Sequence, residues 1–254
     1  MSLKHKDFSI INDDILNTNE IKSNSIDLII TSPPYNVEID YNSTNDNLNY
    51  EKYLSFCSGW MSKCFNLLKP DGRLCLNVPL TVNKNGSKPL GSDLIQKAIE
   101  IGYQYKTIII WNKNHIPTRT AWGSWLSASA PSVIPHIEII IVFYKDQWKK
   151  INKGESTIKK DEFVKWTNGL WTFAGEKKKN IKHPAPFPLE LPDRCIKLFS
   201  YKTDLILDPF VGSGTTLISA YKNNRKCIGV EIDKQYYELA INRFSNTEIQ
   251  IEIF

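Results

Sequence analysis

Between residues 25 and 244, short β-branched runs alternate with longer amphipathic segments, and few folds accept that order. "SIDLIIT", "RLCLNV", "YKTIIIW", "IEIIIVFY", "LILDPF" and "KCIGVEI" read as strands. "YEKYLSFCSGWMSKCFNLL", "SDLIQKAIEIG" starting at Ser92, "LPDRCIKLFS", "GTTLISAYKNN" and "QYYELAINRF" carry apolar residues at helical spacing. Strands interleaved with helices predict an α/β fold, a mostly parallel sheet with helices on both faces. Ligands of such sheets sit at the carboxyl ends of the strands. A chain of 254 residues can close one such domain, spanning 1–254, without disulfides. Its five scattered cysteines form no Cys-x-x-Cys pair and its histidines do not cluster, which predicts buried reduced thiols and no metal. No apolar run is long enough to span a membrane, and "MSLKHKDFSI" lacks a signal-peptide core. The expectation is a cytoplasmic protein with no membrane partner.

Two stretches stand out at strand ends. In "LILDPFVGSGTTLISA" (205–220) a strand passes through a glycine turn into a helix. Gly212 and Gly214 permit a tight turn and close ligand approach. The next strand ends in Glu231, 23 residues after Asp208. An acid at about that distance can hydrogen-bond both hydroxyls of an adenosine ribose, so a nucleoside cofactor is expected. A dinucleotide fits poorly: Leu217 replaces the third glycine of its fingerprint, and Asp208 would repel a pyrophosphate. S-adenosylmethionine has no phosphate, and its cationic end suits an acidic loop. The other stretch, "IDLIITSPPYN" (26–36), runs from a strand into a serine, two prolines and a tyrosine. Pro33 and Pro34 lack N–H groups and have fixed φ, so they stiffen the backbone at the mouth of the sheet.

"TSPPY" together with "DPFVGSGTT" resembles the amino-methyltransferases of DNA, with the catalytic motif first and the cofactor loop last, as in their β class. "HPAPFPLELPDR" (183–194) resembles the segment that precedes the cofactor loop and helps hold the methionine moiety. "NDDIL" resembles the acidic element upstream of the catalytic strand. The resemblance implies a Rossmann-like S-adenosylmethionine-dependent methyltransferase fold from a restriction–modification system. It implies double-stranded DNA as substrate and a cognate restriction endonuclease as functional partner, and it allows a homodimer. It assigns Ser32, Pro33, Pro34 and Tyr35 to catalysis. It assigns Asp14, Pro186, Asp208, Pro209, Phe210, Gly212, Gly214, Thr215 and Glu231 to the cofactor.

The chemistry fits these residue types. The lone pair of an exocyclic amine is delocalised into its ring, which makes the nitrogen a poor nucleophile. Accepting hydrogen bonds from both amine protons favours a more reactive nitrogen, and Ser32 Oγ and the Pro33 carbonyl can accept them. The Tyr35 ring offers a face to a base rotated out of the duplex. No cysteine stands near the motif, which disfavours methylation at cytosine C5. A serine at the head of the motif leans toward cytosine N4, with adenine N6 as the alternative. Another planar amine, in RNA or a protein side chain, and an inactive DNA-binding module are the rival readings.

Two loops break the rhythm. "NVEIDYNSTNDNLN" (36–49) follows the catalytic motif and reads either as a lid over cofactor and base or as a mobile surface loop, and its sequence does not decide between them. Residues 145–180 form an embedded basic insert, the candidate target-recognition region. From Lys145 to His183 there are eleven lysines against five acids, more positive charge than the net +5 of the whole chain. The insert interleaves Trp148, Phe163, Trp166 and Trp171 with lysines, which suits phosphate contacts and stacking. Trp122 and Trp125 read as core residues of a segment (118–131) that could also line the base pocket.

Overall fold

The computed structural model describes residues 4–37, 47–83, 86–113, 123–133, 135, 137–176 and 188–252. The chain opens with β1 (Lys4–His5), β2 (Phe8–Ile11) and β3 (Ile26–Thr31). It continues through α1 (Tyr50–Leu67), β4 (Leu68–Pro79), the short ribbon β5 (Val82–Asn83) and β6 (Ser87–Lys88), α2 (Leu90–Ile101), β7 (Gln104–Asn112) and β8 (Ile137–Tyr144). It closes with α3 (Lys160–Trp166), β9 (Leu170–Thr172), α4 (Glu190–Phe199), β10 (Leu205–Asp208), α5 (Thr215–Lys222), β11 (Lys226–Val230) and α6 (Lys234–Glu252).

Nine of these strands form one sheet in the order β1-β2-β11-β10-β3-β4-β8-β7-β9. From β2 to β4 all five neighbours run parallel. β8 turns back antiparallel to β4 and to β7. Alternate residues of the same strands feed two separate cores. Ile29, Leu74, Leu76, Ile139 and Ile141 pack under α1 and α2. Leu28, Ile30, Cys75, Ile140 and Val142 face the opposite way, toward α4, α5 and α6. A strand buried on both faces needs apolar residues at every position, which is why β3 reads as a continuous apolar run. All five cysteines are buried and free within these cores. Among the described residues, no helix is long and apolar enough to cross a membrane.

From β3 the chain winds outward to β4, whereas from β10 it winds the other way to β11. The crossovers diverge between β3 and β10, and the crevice of such a sheet opens there, above the carboxyl ends.

The basic insert departs from its sequence reading. Instead of one long loop, it contains α3 and β9, and β9 joins the sheet parallel to β7. Trp166 and Trp171 are core residues, not stacking platforms. The Trp171 indole N–H donates to the Trp166 carbonyl at 2.9 Å. The buried Arg194 guanidinium lies 5.4, 5.2 and 4.6 Å from the ring centres of Trp166, Trp171 and Phe173. Packing that many rings around one cation stabilises an outer layer that the sequence shows only as scattered aromatics. Trp125 departs in the other direction: it is 66% exposed rather than in the core. Trp122 lies outside the described residues.

Candidate active site

Both motifs meet at the crevice between β3 and β10. Thr31, the last residue of β3, donates its hydroxyl to Asp208 Oδ1 at 3.0 Å. Asp208 ends β10 and is fully buried. It also accepts the Phe210 N–H at 3.1 Å and the Thr216 hydroxyl at 2.6 Å. The carboxylate is thus engaged largely in shaping the loop. Burial pushes its pKa up to about 6, against three hydrogen bonds that pull it down.

The loop turns on Gly212 and Gly214, both with positive φ (50° and 81°). A Cβ at Gly214 would also come within 3.1 Å of the Ala240 Cβ on α6. Pro209 and Thr215 are buried, and Arg243 from α6 braces the loop through the Ser213 carbonyl. Glu231 follows β11, and its carboxylate accepts the N–H groups of Gly212 at 2.8 Å and Asp233 at 3.0 Å. Desolvation first, then the charges of Asp233 and Asp208, push its pKa up to about 7. Asp14 lies beyond the end of β2, which pairs with β11. Its carboxylate caps a turn by accepting the Leu16 N–H at 3.0 Å, and the neighbouring Asn12 amide donates to the Glu231 carbonyl at 2.8 Å. The Phe210 ring packs edge-on to Trp60, with centroids 5.4 Å apart, and lies 6.1 Å from the Phe56 ring. Pro186 lies outside the described residues.

Beyond Thr31 the catalytic motif forms the adjoining wall. The Tyr53 hydroxyl donates to the Pro34 carbonyl at 2.9 Å and fixes the second proline against α1. Pro33 is buried beside it. Asn36 takes up positive φ and exchanges two hydrogen bonds with the Leu48 backbone, 2.9 and 2.7 Å, so it clamps the feet of the 36–49 loop. Residues 38–46 of that loop lie outside the described residues. Ser32 Oγ lies 2.5 Å from Tyr35 Oη.

Three further residues join this pair, and sequence reasoning did not find them. Asn77 Nδ2, from the end of β4, donates to Tyr35 Oη at 2.9 Å and to Glu138 Oε2 at 2.7 Å. Glu138, at the start of β8, lies 3.3 Å from the Tyr35 hydroxyl and pairs with Lys113 just past β7. The Asn77 Oδ1 is buried and has no hydrogen-bond partner among the described residues. The site therefore holds one unmet acceptor, which suits an incoming donor.

Two carboxylates with raised pKa values flank the glycine loop. That setting repels a phosphate and favours hydroxyl donors and a cation, the polar groups S-adenosylmethionine carries.

An N6/N4 methyltransferase family model, described as DNA methylase, matches residues 26–242. The type II methyltransferase M.MjaVI of Methanocaldococcus jannaschii is 56% identical over 173 residues, 68% of this chain and 89% of its own length. M.HpaI of Haemophilus parainfluenzae, also a type II methyltransferase, is 32% identical over 237 residues, 89% of this chain and 70% of its own. A solved DNA modification methylase of Thermus thermophilus, complexed with S-adenosyl-L-methionine, superposes with a TM-score of 0.75. It is 29% identical, covering 94% of this chain and 93% of that one.

Proposed function

The chain belongs to the N6/N4 DNA methylase family, and from that premise we propose that it methylates the exocyclic amine of a base rotated out of DNA, cytosine N4 ahead of adenine N6. The observation that carries the reading is the Thr31–Asp208 hydrogen bond. It joins motifs 177 residues apart and sets a rigid proline turn beside a glycine loop. S-adenosylmethionine supplies, when bound, a methyl group on a cationic sulfonium.

The chain's own residues do the rest. Glu231 takes the ribose hydroxyls, and Asp14 lies toward the adenine ring. Asp208 keeps the methionine end of the pocket negative, and Pro209, Phe210, Gly212, Gly214 and Thr215 shape it; the family resemblance assigns Pro186, outside the described residues, to the cofactor as well. Ser32 Oγ and the Pro33 carbonyl accept the two amine protons, and Tyr35 stacks its ring on the base. Holding two reactants in register is the main source of rate here, because direct displacement needs no covalent enzyme intermediate. A restriction endonuclease that spares the methylated site is the expected functional partner, and a homodimer fits the same role.

Modification-sensitive sequencing of DNA from cells expressing the protein tests this. One methylated sequence context is expected in wild type and none with Ser32→Ala. No modification with wild type would argue for the inactive DNA-binding reading instead.

A further inference from the structure

That reading leaves Glu138 and Lys113 without a task. We propose that Ser32, Tyr35 and Glu138 form a proton relay that removes the proton the target amine must shed, with Lys113 holding the final acceptor in place. The proposal rests on the amine-methylation reading of this site.

Counting donors and acceptors fixes the direction of the relay. Asn77 Nδ2 and the Lys113 ammonium both donate to Glu138, so its carboxylate is where the cluster's protons point. Tyr35 Oη already accepts from Asn77 Nδ2. The partners of its single proton include Ser32 Oγ at 2.5 Å, Glu138 Oε2 at 3.3 Å and the Asn77 carbonyl at 3.4 Å. An amine donating to Ser32 Oγ turns the Ser32 proton toward Tyr35, its nearest partner. The Tyr35 proton is then displaced toward Glu138, since an ionised acceptor outcompetes a neutral carbonyl. The result is one continuous path: amine, Ser32, Tyr35, Glu138.

The step balances. The lone pair of the amine nitrogen takes the methyl as the methyl–sulfur bond breaks, and that bond's electron pair stays on sulfur. The nitrogen now carries a positive charge. Its N–H electron pair returns to nitrogen as the proton passes to Ser32 Oγ. The proton of Ser32 passes to Tyr35 Oη, and that of Tyr35 to Glu138 Oε2. Both hydroxyls end as they began, and the carboxylate becomes a carboxylic acid. The Glu138 side chain is 12% exposed and that of Lys113 36%, so the proton leaves to water on the lysine side.

The test is single-turnover methylation over a pH series, with DNA and S-adenosylmethionine saturating, in wild type, Tyr35→Phe and Glu138→Gln. Phenylalanine keeps the ring, and glutamine keeps the length and one acceptor. Both variants should bind DNA and cofactor as wild type does, yet react about 10²-fold more slowly or worse, the scale of general acid–base catalysis. The ionisable groups facing Glu138 among the described residues are Lys113, past β7, and Tyr35, past β3. Wild-type rates in both variants overturn the relay. A slow Glu138→Gln beside a fully active Tyr35→Phe overturns it too, because Glu138 would then only brace Asn77. If Glu138→Gln does not fold, Tyr35→Phe, which deletes one hydroxyl, decides alone. Failure of wild type to methylate DNA at all would sink the underlying reading instead.

Discussion

Buried carboxylates set the character of the cofactor end, and their protons are the handle on it. Glu231 titrates near 7 in the folded protein because burial disfavours its charge. In the proposed site the ribose hydroxyls donate to the ionised form, so cofactor binding favours loss of that proton. Affinity for S-adenosylmethionine should therefore fall as pH drops below about 7. Glu231→Ala should weaken it by about 1.5–3 kcal/mol at pH 8 and flatten the pH dependence; calorimetry that finds equal affinities would put the ribose elsewhere. Asp208 has the opposite bearing on the fold. Its pKa is about 6 when folded, raised from an ordinary value of 3.8. The stability it contributes as a neutral acid is present below 3.8 and is lost as pH rises through 6. Asp208→Asn should thus leave cofactor-free stability near wild type at pH 4 but raise it at pH 8, by at most about 3 kcal/mol, while weakening cofactor binding. Thermal melts at both pH values check this, and a variant less stable at pH 8 would mean the three hydrogen bonds outweigh the burial cost. These two acids were legible because each sits in a local motif. Asn77, Glu138 and Lys113 were not, because the sheet assembles them from three strand ends. A trace did exist: Asn77 interrupts "LCLNVP", and Glu138 heads the apolar run "IEIIIVFY".

At the scale of elements, the long periodic segments fell where their patterns put them, and the short or irregular ones did not. α1 and β8 match their apolar runs, and α2 begins two residues before Ser92. β1, β2 and β9 have two to four residues each, and sheet neighbours hold them rather than any pattern of their own. The insert was misread because charge was legible and position was not. It starts after β8 at the amino ends of the parallel strands, where the Ile151 N–H meets Asp71 Oδ2 at 2.7 Å. It climbs to the carboxyl ends only through β9, whose Thr172 pairs with Asn112. Lys150 is not a phosphate contact: its side chain is 7% exposed and lies 3.4 Å from both Asp27 and Asp204. Lys150→Met should cost stability, about 1.5 kcal/mol, because it removes a cation from both carboxylates while Lys69 still holds Asp27 at 2.8 Å and the Tyr201 N–H still meets Asp204 at 2.9 Å, and it should leave DNA binding alone. Neutralising the exposed Lys149 and Lys153, at the far end of the sheet from the site, should not change the salt dependence of DNA binding. Neutralising Lys177, Lys178 and Lys179, which follow β9 in sequence and lie outside the described residues, should lower the salt slope by about 0.9 for each phosphate no longer neutralised. Binding isotherms at several salt concentrations separate the two sets, and the reverse ranking would return the DNA to the amino end.

Over the whole molecule, one mostly parallel sheet brings two distant motifs to a single crevice, and that arrangement was legible from strand–helix alternation and motif order. The target base was not. Ser32 accepts as a hydroxyl, and adenine and cytosine both present an amine beside a ring nitrogen, so the lean toward cytosine N4 comes from the residue type that heads the motif. The net charge of +5 is consistent with a polyanionic partner but names no sequence. The central claim is transfer of a methyl group from S-adenosylmethionine to an exocyclic amine of DNA. Its most direct test uses purified protein, duplex DNA and S-adenosylmethionine with a deuterated methyl group, followed by digestion to nucleosides and mass spectrometry. The account predicts the label on N4 of deoxycytidine. N6-methyladenine as the sole product would correct the base and keep the mechanism, whereas label at cytosine C5, or no labelled nucleoside, would contradict it.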